Sequence, residues 1–449
     1  MKPDGDRPIN IVGAGLAGAL LAVLLARRGF AIDLYERRPD PRSTHGERGR
    51  SINLALAARG MVALERAQMM PRIRPLLIPM RGRMVHSLSG GTQLQPYGQR
   101  QDEVIYSVSR ADLNRALIEE AARHPRVRLR FRQICLAALP EAGALRFRDE
   151  TTGDDSAIPI APSIATDGAG SVIRSSLARA ELLRVREDWL DHDYKELTIP
   201  ARDARHAIEP HALHIWPRGG FMLIALPNTD GSFTATLFLA RGGADGFDSL
   251  TGPDRIRGLF ESQFADAARL MPRLVEEFTA HPRGRLGTIH ARPWHIGGQV
   301  MLLGDAAHAI APFHGQGMNA AFEDCRVLES LLDRHESWDA LFADFERCRL
   351  ADTAAIAQMA LENYIEMRDT VRDPVYLRRR ALAMELERRF PDRFIPRYSM
   401  VMFHPEISYA EALRRGAAQE RILATLDDRS ASGKVDFDLA QALIAQQLA

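Results

Sequence analysis

The chain has 449 residues, with 59 Lys and Arg against 58 Asp and Glu, a formal net charge of +1, 46% hydrophobic and 26% charged residues. That balance excludes a disordered tail, a collagen and a coiled-coil rod, and it leaves no net basic field to gather nucleic acid or an anionic membrane. Three cysteines (Cys135, Cys325 and Cys348) without CxxC spacing argue against a disulfide framework or a structural zinc site and fit a reducing, cytoplasmic setting. Each reads as a small buried apolar residue rather than a nucleophile.

The first predicted elements form a βαβ unit: a strand over PINIV (8–12), the turn GAGLAG (13–18), a helix to about Arg28, and a strand over AIDLYE. In such a turn Gly13 allows the tight bend, Gly15 lets the backbone approach a pyrophosphate, and Gly18 lets helix and strand pack closely. The helix start supplies unpaired N–H groups and a positive dipole end. Glu36, 18 residues beyond Gly18 at the end of the second strand, can accept hydrogen bonds from ribose hydroxyls. An acid there disfavours a 2′-phosphate, so the bound dinucleotide is FAD or NAD rather than NADP. The apolar run Leu16–Ala26 is about half the ~20 residues a membrane span needs.

Residues 43–60 read as a loop rich in Gly, Arg and Ser. HALHIWP, FMLIALP and SFTATLFLA then predict neighbouring antiparallel strands in a separate sheet over about 180–290. GGQVMLLGDAAH returns to strand-then-helix, and from about Asp339 the pattern is almost wholly helical. Within it Arg378, Arg379 and Arg380 read as a solvated helix face, with Glu385 and Glu387 a turn or two away.

Gly304-Asp305 ends the late strand and is followed by PFHGQGMN (312–319). Asp305 can bond a ribityl hydroxyl, the glycine loop permits close backbone approach, and the next helix start offers N–H groups to an isoalloxazine oxygen. Asp167-Gly168 lies between the two glycine motifs. A Gly-Asp or Asp-Gly pair alone would be a surface turn; three motifs in this order resemble the flavoprotein aromatic hydroxylases. The resemblance implies FAD, and a plain NAD dehydrogenase would not need the late Gly-Asp segment.

Further blocks extend the likeness: RGRSINLALAARG (48–60), PMRGRMVHSLSG (79–90), QPYG (95–98), SVSRADLN (107–114), YKELTIP (194–200), ENYIEM (362–367) and RFIPRYSMV (393–401). They resemble the branch of that family that hydroxylates kynurenine, in its soluble bacterial form without a hydrophobic C-terminal anchor.

The fold this implies is α/β: a Rossmann-like FAD-binding domain from 1–75, 100–180 and 290–340, and a substrate domain on a mixed, largely antiparallel sheet from 76–99 and 181–289. A helical region, 341–449, completes it. The resemblance places FAD against Gly13, Gly15, Ala17, Gly18, Tyr35, Glu36, Arg37, Arg38, Ala55, Arg110, Cys135, Asp305, Gly317, Met318 and Asn319. It places substrate against Arg83, Tyr97, Asn363 and Tyr398, with Phe313 and His314 lining the aromatic-ring pocket.

A zwitterion's carboxylate suits an always-charged, planar Arg83, helped by phenolic donors from Tyr97 and Tyr398, while Asn363 can satisfy a polar group of the amino-acid end. The implied reaction consumes NADPH and O2, passes through a flavin C4a-hydroperoxide, and converts L-kynurenine to 3-hydroxykynurenine with no protein acid–base pair and no metal. Neither nucleic acid nor a membrane is an implied partner, and the oligomeric state stays open, with a homodimer among the options. The competing readings are a hydroxylase of another aromatic acid, such as a salicylate or hydroxybenzoate, and a flavin-binding protein without oxygenase turnover.

Overall fold

The computed structural model describes Pro3 and residues 7–43, 53–160, 162–371, 373–429 and 435–448. The chain divides into two compact units, each assembled from three separate segments: residues 1–77, 108–189 and 287–353 in unit 1, and 78–107, 190–286 and 354–449 in unit 2.

Unit 1 is built on a six-stranded sheet in the order His295–Ile296, Val300–Leu302, Ser163–Ala165, Ile9–Val12, Ile32–Tyr35, Val127–Arg130. All its pairings are parallel except that of the two-residue edge strand. Strands in parallel sheets are covered on both faces and so read as continuous apolar runs; Ile9–Val12 and Ile32–Tyr35 are buried throughout. The helix Leu16–Arg27 follows the same logic. Nine of its twelve residues are buried, as a helix apolar all round requires. A three-stranded antiparallel sheet (Asp155–Pro159, Ala144–Asp149, Gln133–Leu139) also belongs to this unit.

Unit 2 carries most of a seven-stranded sheet ordered Gly284–Arg292, Arg184–Ile199, Phe233–Ala240, Met222–Pro227, Leu213–Pro217, Gly82–His86, Thr92–Pro96. The three predicted strands pair antiparallel as neighbours, and Gly82–His86 joins Leu213–Pro217 in parallel. Alternate residues Phe233, Ala235, Leu237 and Leu239 point into one core with Phe260, Phe264 and Phe278, the period of two that a half-buried strand demands. The C-terminal helices pack around a second core of Leu386, Phe394, Ile422, Leu426 and Ile444. Helix Phe437–Gln447 buries Ala440 and Ile444. No helix among the described residues is long and apolar enough to cross a membrane.

Three local expectations need correction. The stretch 43–60 is not all loop: Asn53–Leu56 is a strand and Ala58–Arg66 a helix, while 44–52 lie outside the described residues. Cys348 is exposed rather than buried, Cys325 is buried and Cys135 half-buried, and all three thiols are free. The arginine run does stand on a helix face with Arg378 exposed and Arg379 and Arg380 half-buried, but its partners are not the neighbouring acids. Arg378 and Arg379 both reach Asp427, and Arg380 donates to the Pro96 carbonyl, partners remote in sequence.

Candidate functional site

In unit 1 the first glycine turn is shaped from within the protein. Gly13 adopts φ +104°, which favours glycine, and a Cβ there would lie 2.5 Å from the Thr166 carbonyl oxygen. Its N–H donates to the Tyr35 carbonyl. A Cβ on Gly18 would fall 1.9 Å from the Gly13 carbonyl oxygen and 2.5 Å from Thr166 Oγ1, and Thr166 Oγ1 itself donates to that carbonyl at 2.8 Å. Gly15 differs: nothing lies within 4 Å of its Cβ position. It is the N-cap of Leu16–Arg27, and no side chain caps that helix. Open space before uncapped N–H groups is what a pyrophosphate needs.

Glu36 stands at the rim of this turn. Its Oε2 accepts from Ala14 N–H at 2.9 Å and its Oε1 from Arg38 N–H at 3.0 Å. Asn114 Nδ2 donates to the Ala14 carbonyl at 3.0 Å, a support that sequence reasoning missed. Arg37, Arg38 and Arg110 are exposed. Ala17 sits in the first helical turn, where its carbonyl accepts from Cys325 Sγ. Tyr35 is turned inward, its ring stacked on Phe147 with centroids 4.5 Å apart, and burial raises its hydroxyl pKa. Burial likewise pushes the Cys135 thiol up to about 12, helped by Asp167. Asp167 works as a helix cap, its Oδ2 accepting from Val172 and Ile173 N–H.

The second glycine motif shows a matching arrangement. Asp305 is exposed at the start of Asp305–His308. Phe313 and His314 are buried in the short turn Pro312–His314, ahead of Gly315 at φ +66°. Helix Gly317–Leu331 begins with Gly317, Met318 and Asn319, and no side chain caps it. The Asn319 amide is committed to the protein: Oδ1 accepts from Ala57 N–H, and Nδ2 donates to the Ala55 and Gly315 carbonyls, each at 2.9 Å. Two uncapped helix starts, an open Gly15 and an exposed acid fit the phosphates and hydroxyls of FAD.

Unit 2 brings Arg83, Tyr97, Asn363 and Tyr398 into one cluster. Arg83, 2% exposed, lies on Gly82–His86; its Nη1 is 2.8 Å from Glu366 Oε1 and its Nη2 is 3.2 Å from Asn363 Oδ1. Tyr97 and Tyr398 stack with centroids 5.3 Å apart, and the guanidinium carbon stands 4.9 Å from the Tyr398 centroid and 6.0 Å from that of Tyr97, within cation–π range. Burial is the largest influence and opposes the charge on Arg83, but Glu366 together with Tyr398, Tyr376 and Tyr97 outweighs it and holds the guanidinium pKa well above its usual value. Burial likewise works against ionised Glu366, and Arg83, the Tyr376 hydroxyl and Arg397 together keep the carboxyl below its ordinary range. Burial raises the hydroxyls of Tyr97 and Tyr398, so both stay protonated donors.

Sequence reasoning missed two members of this cluster. Glu366 begins the single π-turn Glu366–Thr370, and Tyr376 donates to its Oε1 at 2.8 Å. The available signal was spacing: Glu366 follows Asn363 by three residues, one helical turn. A π-turn is itself frequent at functional sites. Among the described residues no cluster of His, Cys, Asp and Glu could hold a metal ion.

The family model of an FAD binding domain matches residues 6–356, and the chain is a flavoprotein of the aromatic hydroxylase family, with FAD as its cofactor. Its fold agrees with solved structures at low identity. It superposes on the tetrameric form of 2-methyl-3-hydroxypyridine-5-carboxylic acid oxygenase with TM-score 0.66 at 18% identity, covering 82% of this chain and 94% of that one. It superposes on P. aeruginosa PqsL in complex with 2-aminobenzoylacetate with TM-score 0.64 at 19% identity, covering 81% and 96%.

Closer relatives define the branch. The chain is 46% identical to the kynurenine 3-monooxygenase of Xanthomonas axonopodis pv. citri over 100% of this chain and 98% of the relative. It is 48% identical to that of Xanthomonas campestris pv. campestris over 93% and 91%. It belongs to the kynurenine 3-monooxygenase family.

Proposed function

We propose that the protein hydroxylates L-kynurenine to 3-hydroxykynurenine, consuming NADPH and O2, in the reducing cytoplasmic setting that three free thiols favour. The observation that carries this reading is the Arg83 cluster: a buried, permanently charged fork beside two stacked, protonated phenols suits the carboxylate of an aromatic amino acid. Arg83, Tyr97 and Tyr398 hold that carboxylate and Asn363 a polar group beside it. The substrate's ammonium group offers Glu366 a counter-charge. Phe313 and His314 line the site of the aromatic ring.

Gly13, Gly15, Ala17, Gly18, Tyr35, Glu36, Arg37, Arg38, Ala55, Arg110, Cys135, Asp305, Gly317, Met318 and Asn319 are the residues assigned to FAD. The first glycine turn and helix start face the pyrophosphate, Glu36 the ribose and Asp305 the ribityl chain. Tyr35, Cys135 and Asn319 act by shaping the surroundings, since their side chains are engaged within the protein. When bound and reduced by NADPH, FAD supplies the transfer of one oxygen atom from O2 to an electron-rich aromatic carbon.

The aniline nitrogen of kynurenine already activates the ring carbon ortho to it. The protein's tasks are orientation and exclusion of water, and no side chain need take the ring proton. The test is NADPH consumption in air by the yellow protein, with and without L-kynurenine, with the product identified by mass and retention. Stimulated consumption with stoichiometric 3-hydroxykynurenine is expected. Stimulation that yields only H2O2 would make kynurenine an effector and another aromatic acid the substrate. No stimulation would leave a flavin-binding protein without oxygenase turnover.

A further inference from the structure

Behind the Gly304-Asp305 turn lies a buried charged network that none of the glycine motifs accounts for. Asp324, fully buried on Gly317–Leu331, accepts three hydrogen bonds. They come from Gly304 N–H to Oδ2 at 3.2 Å, His308 Nε2 to Oδ2 at 2.7 Å, and Arg349 Nε to Oδ1 at 2.8 Å. Arg349 also pairs with Glu323 at 2.9 Å and Asp352 at 3.2 Å, and Glu323 with buried Arg59 at 3.1 Å. Buried charges are costly unless paired and hydrogen-bonded, and here every carboxylate has a cation.

What this network grips is the turn. The Gly304 carbonyl is taken by the N–H groups of Ala307 and His308, and its own N–H by Asp324. Gly304 has φ +62°, with space limited by the Ala321 side chain 3.1 Å from its Cβ position. Arg174 Nη1 fixes the Ala306 carbonyl at 2.9 Å, and the Trp294 ring covers His308 with centroids 5.0 Å apart. Both backbone groups of Gly304 and the carbonyl of Ala306 are therefore held, while the Asp305 side chain between them is exposed.

We propose that Asp324 is a positioning residue for FAD: by holding the Gly304 N–H and the His308 ring it pre-sets the turn that presents Asp305 to the flavin's ribityl chain. This rests on the reading of Asp305 as a flavin contact. A site preformed in the apoprotein spends no binding energy on ordering the loop, and a charge-assisted hydrogen bond of this kind is worth about a tenfold change in affinity when it acts at a site.

The test is FAD titration of apoprotein, followed by flavin fluorescence quenching, for Asp324→Ala, Asp324→Asn and Asp305→Ala, each checked for folding by near-ultraviolet circular dichroism. Asp324→Ala is expected to raise the FAD Kd about tenfold and to alter the visible circular dichroism of the bound flavin. The isosteric Asp324→Asn, which keeps an acceptor, should recover part of the affinity. Folded Asp324 variants with wild-type Kd and spectrum overturn the proposal, and wild-type Kd in Asp305→Ala overturns the reading beneath it.

A second measurement needs no variant. Hydrogen exchange across 303–308 in wild-type apoprotein should already be as slow as in the FAD-loaded enzyme. Fast exchange in the apoprotein, slowed only by FAD, would mean that the flavin shapes the turn and Asp324 does not.

Discussion

Arg83 and Glu366, 283 positions apart in sequence, meet as a 2.8 Å ion pair whose cation is almost fully buried and whose anion is a quarter exposed. A pair of this kind contributes little net stability, yet losing one partner alone is expensive because the other is left buried without a counter-charge.

Arg83→Ala should therefore weaken L-kynurenine binding by about 2–4 kcal/mol, the scale for removing one partner of a desolvated charge pair. Titration of the flavin absorbance change measures this. Unchanged affinity would remove Arg83 from the site. In urea unfolding, Arg83→Ala should also cost more stability than the double variant Arg83→Ala/Glu366→Ala, since the double leaves no orphaned charge.

The glycines of the first turn should separate into two kinds. Gly18→Ala places a methyl group 1.9 Å from the Gly13 carbonyl oxygen, so apoprotein stability should fall by roughly 1–3 kcal/mol or more. Gly15→Ala meets open space, so apoprotein melting should hardly change while FAD affinity falls. Melting of the apo forms alongside FAD titration distinguishes them, and equal effects on both quantities would refute the division.

Glu36→Ala removes the acceptor of the Ala14 and Arg38 N–H groups. A hydrogen bond to a charged group is worth about 1.5–3 kcal/mol, so loss of the proposed ribose contact should lower FAD affinity about tenfold or more. Glu36→Gln, which keeps one acceptor oxygen, should lose less. An equal loss in both would show that the charge alone matters.

Acid should destabilise unit 2 through a histidine pair. His214 Nε2 faces the Glu209 carbonyl at 2.7 Å and its Nδ1 faces His86 Nε2 at 2.8 Å. Burial pushes His214 down to about 4 from 6.5. Between those values the unfolded chain binds a proton that the folded protein refuses, so stability falls as pH drops from about 6.5 to 4, by about 3 kcal/mol in full.

Asp266 accepts from His86 and Trp216. Burial opposes its charge, but these bonds hold it at about 2, so further stability is lost between about 3.8 and 2. Urea midpoints across pH check the profile, and His214→Gln should flatten the upper limb. A flat wild-type profile from pH 6.5 to 4 would contradict the assignment.

What the sequence revealed was whatever local pattern carries. The turn GAGLAG with its flanking strand and helix, the late Gly-Asp strand and the antiparallel run of 213–240 all lie within stretches where periodicity and glycine spacing have direct structural meaning. The ion-pair partner of Arg83 and the partners of the arginine run did not show, because Glu366, Asp427 and Pro96 come from segments remote from them. The Asn319 side chain ties Ala55, Ala57 and Gly315 together, a scaffold role that its place in the flavin motif did not disclose. Asp167, which resembled part of a ligand motif, satisfies the start of the helix behind it. Polar residues near a cofactor motif divide between ligand and scaffold by contacts that only the fold supplies.

The order of strands in unit 1 also sets a timetable. Ile9–Val12 pairs with Ser163–Ala165, which in turn pairs with Val300–Leu302, so a chain emerging at roughly 5–20 residues per second waits about 15–60 s between the first and last of these strands. From the moment residue 165 emerges, about halfway through that interval, Ser163–Ala165 has an unsatisfied edge, a template for pairing with any other extended chain. The nascent protein's exposure to misassembly is thus written into its topology, and it ends only once residue 302 has cleared the ribosome.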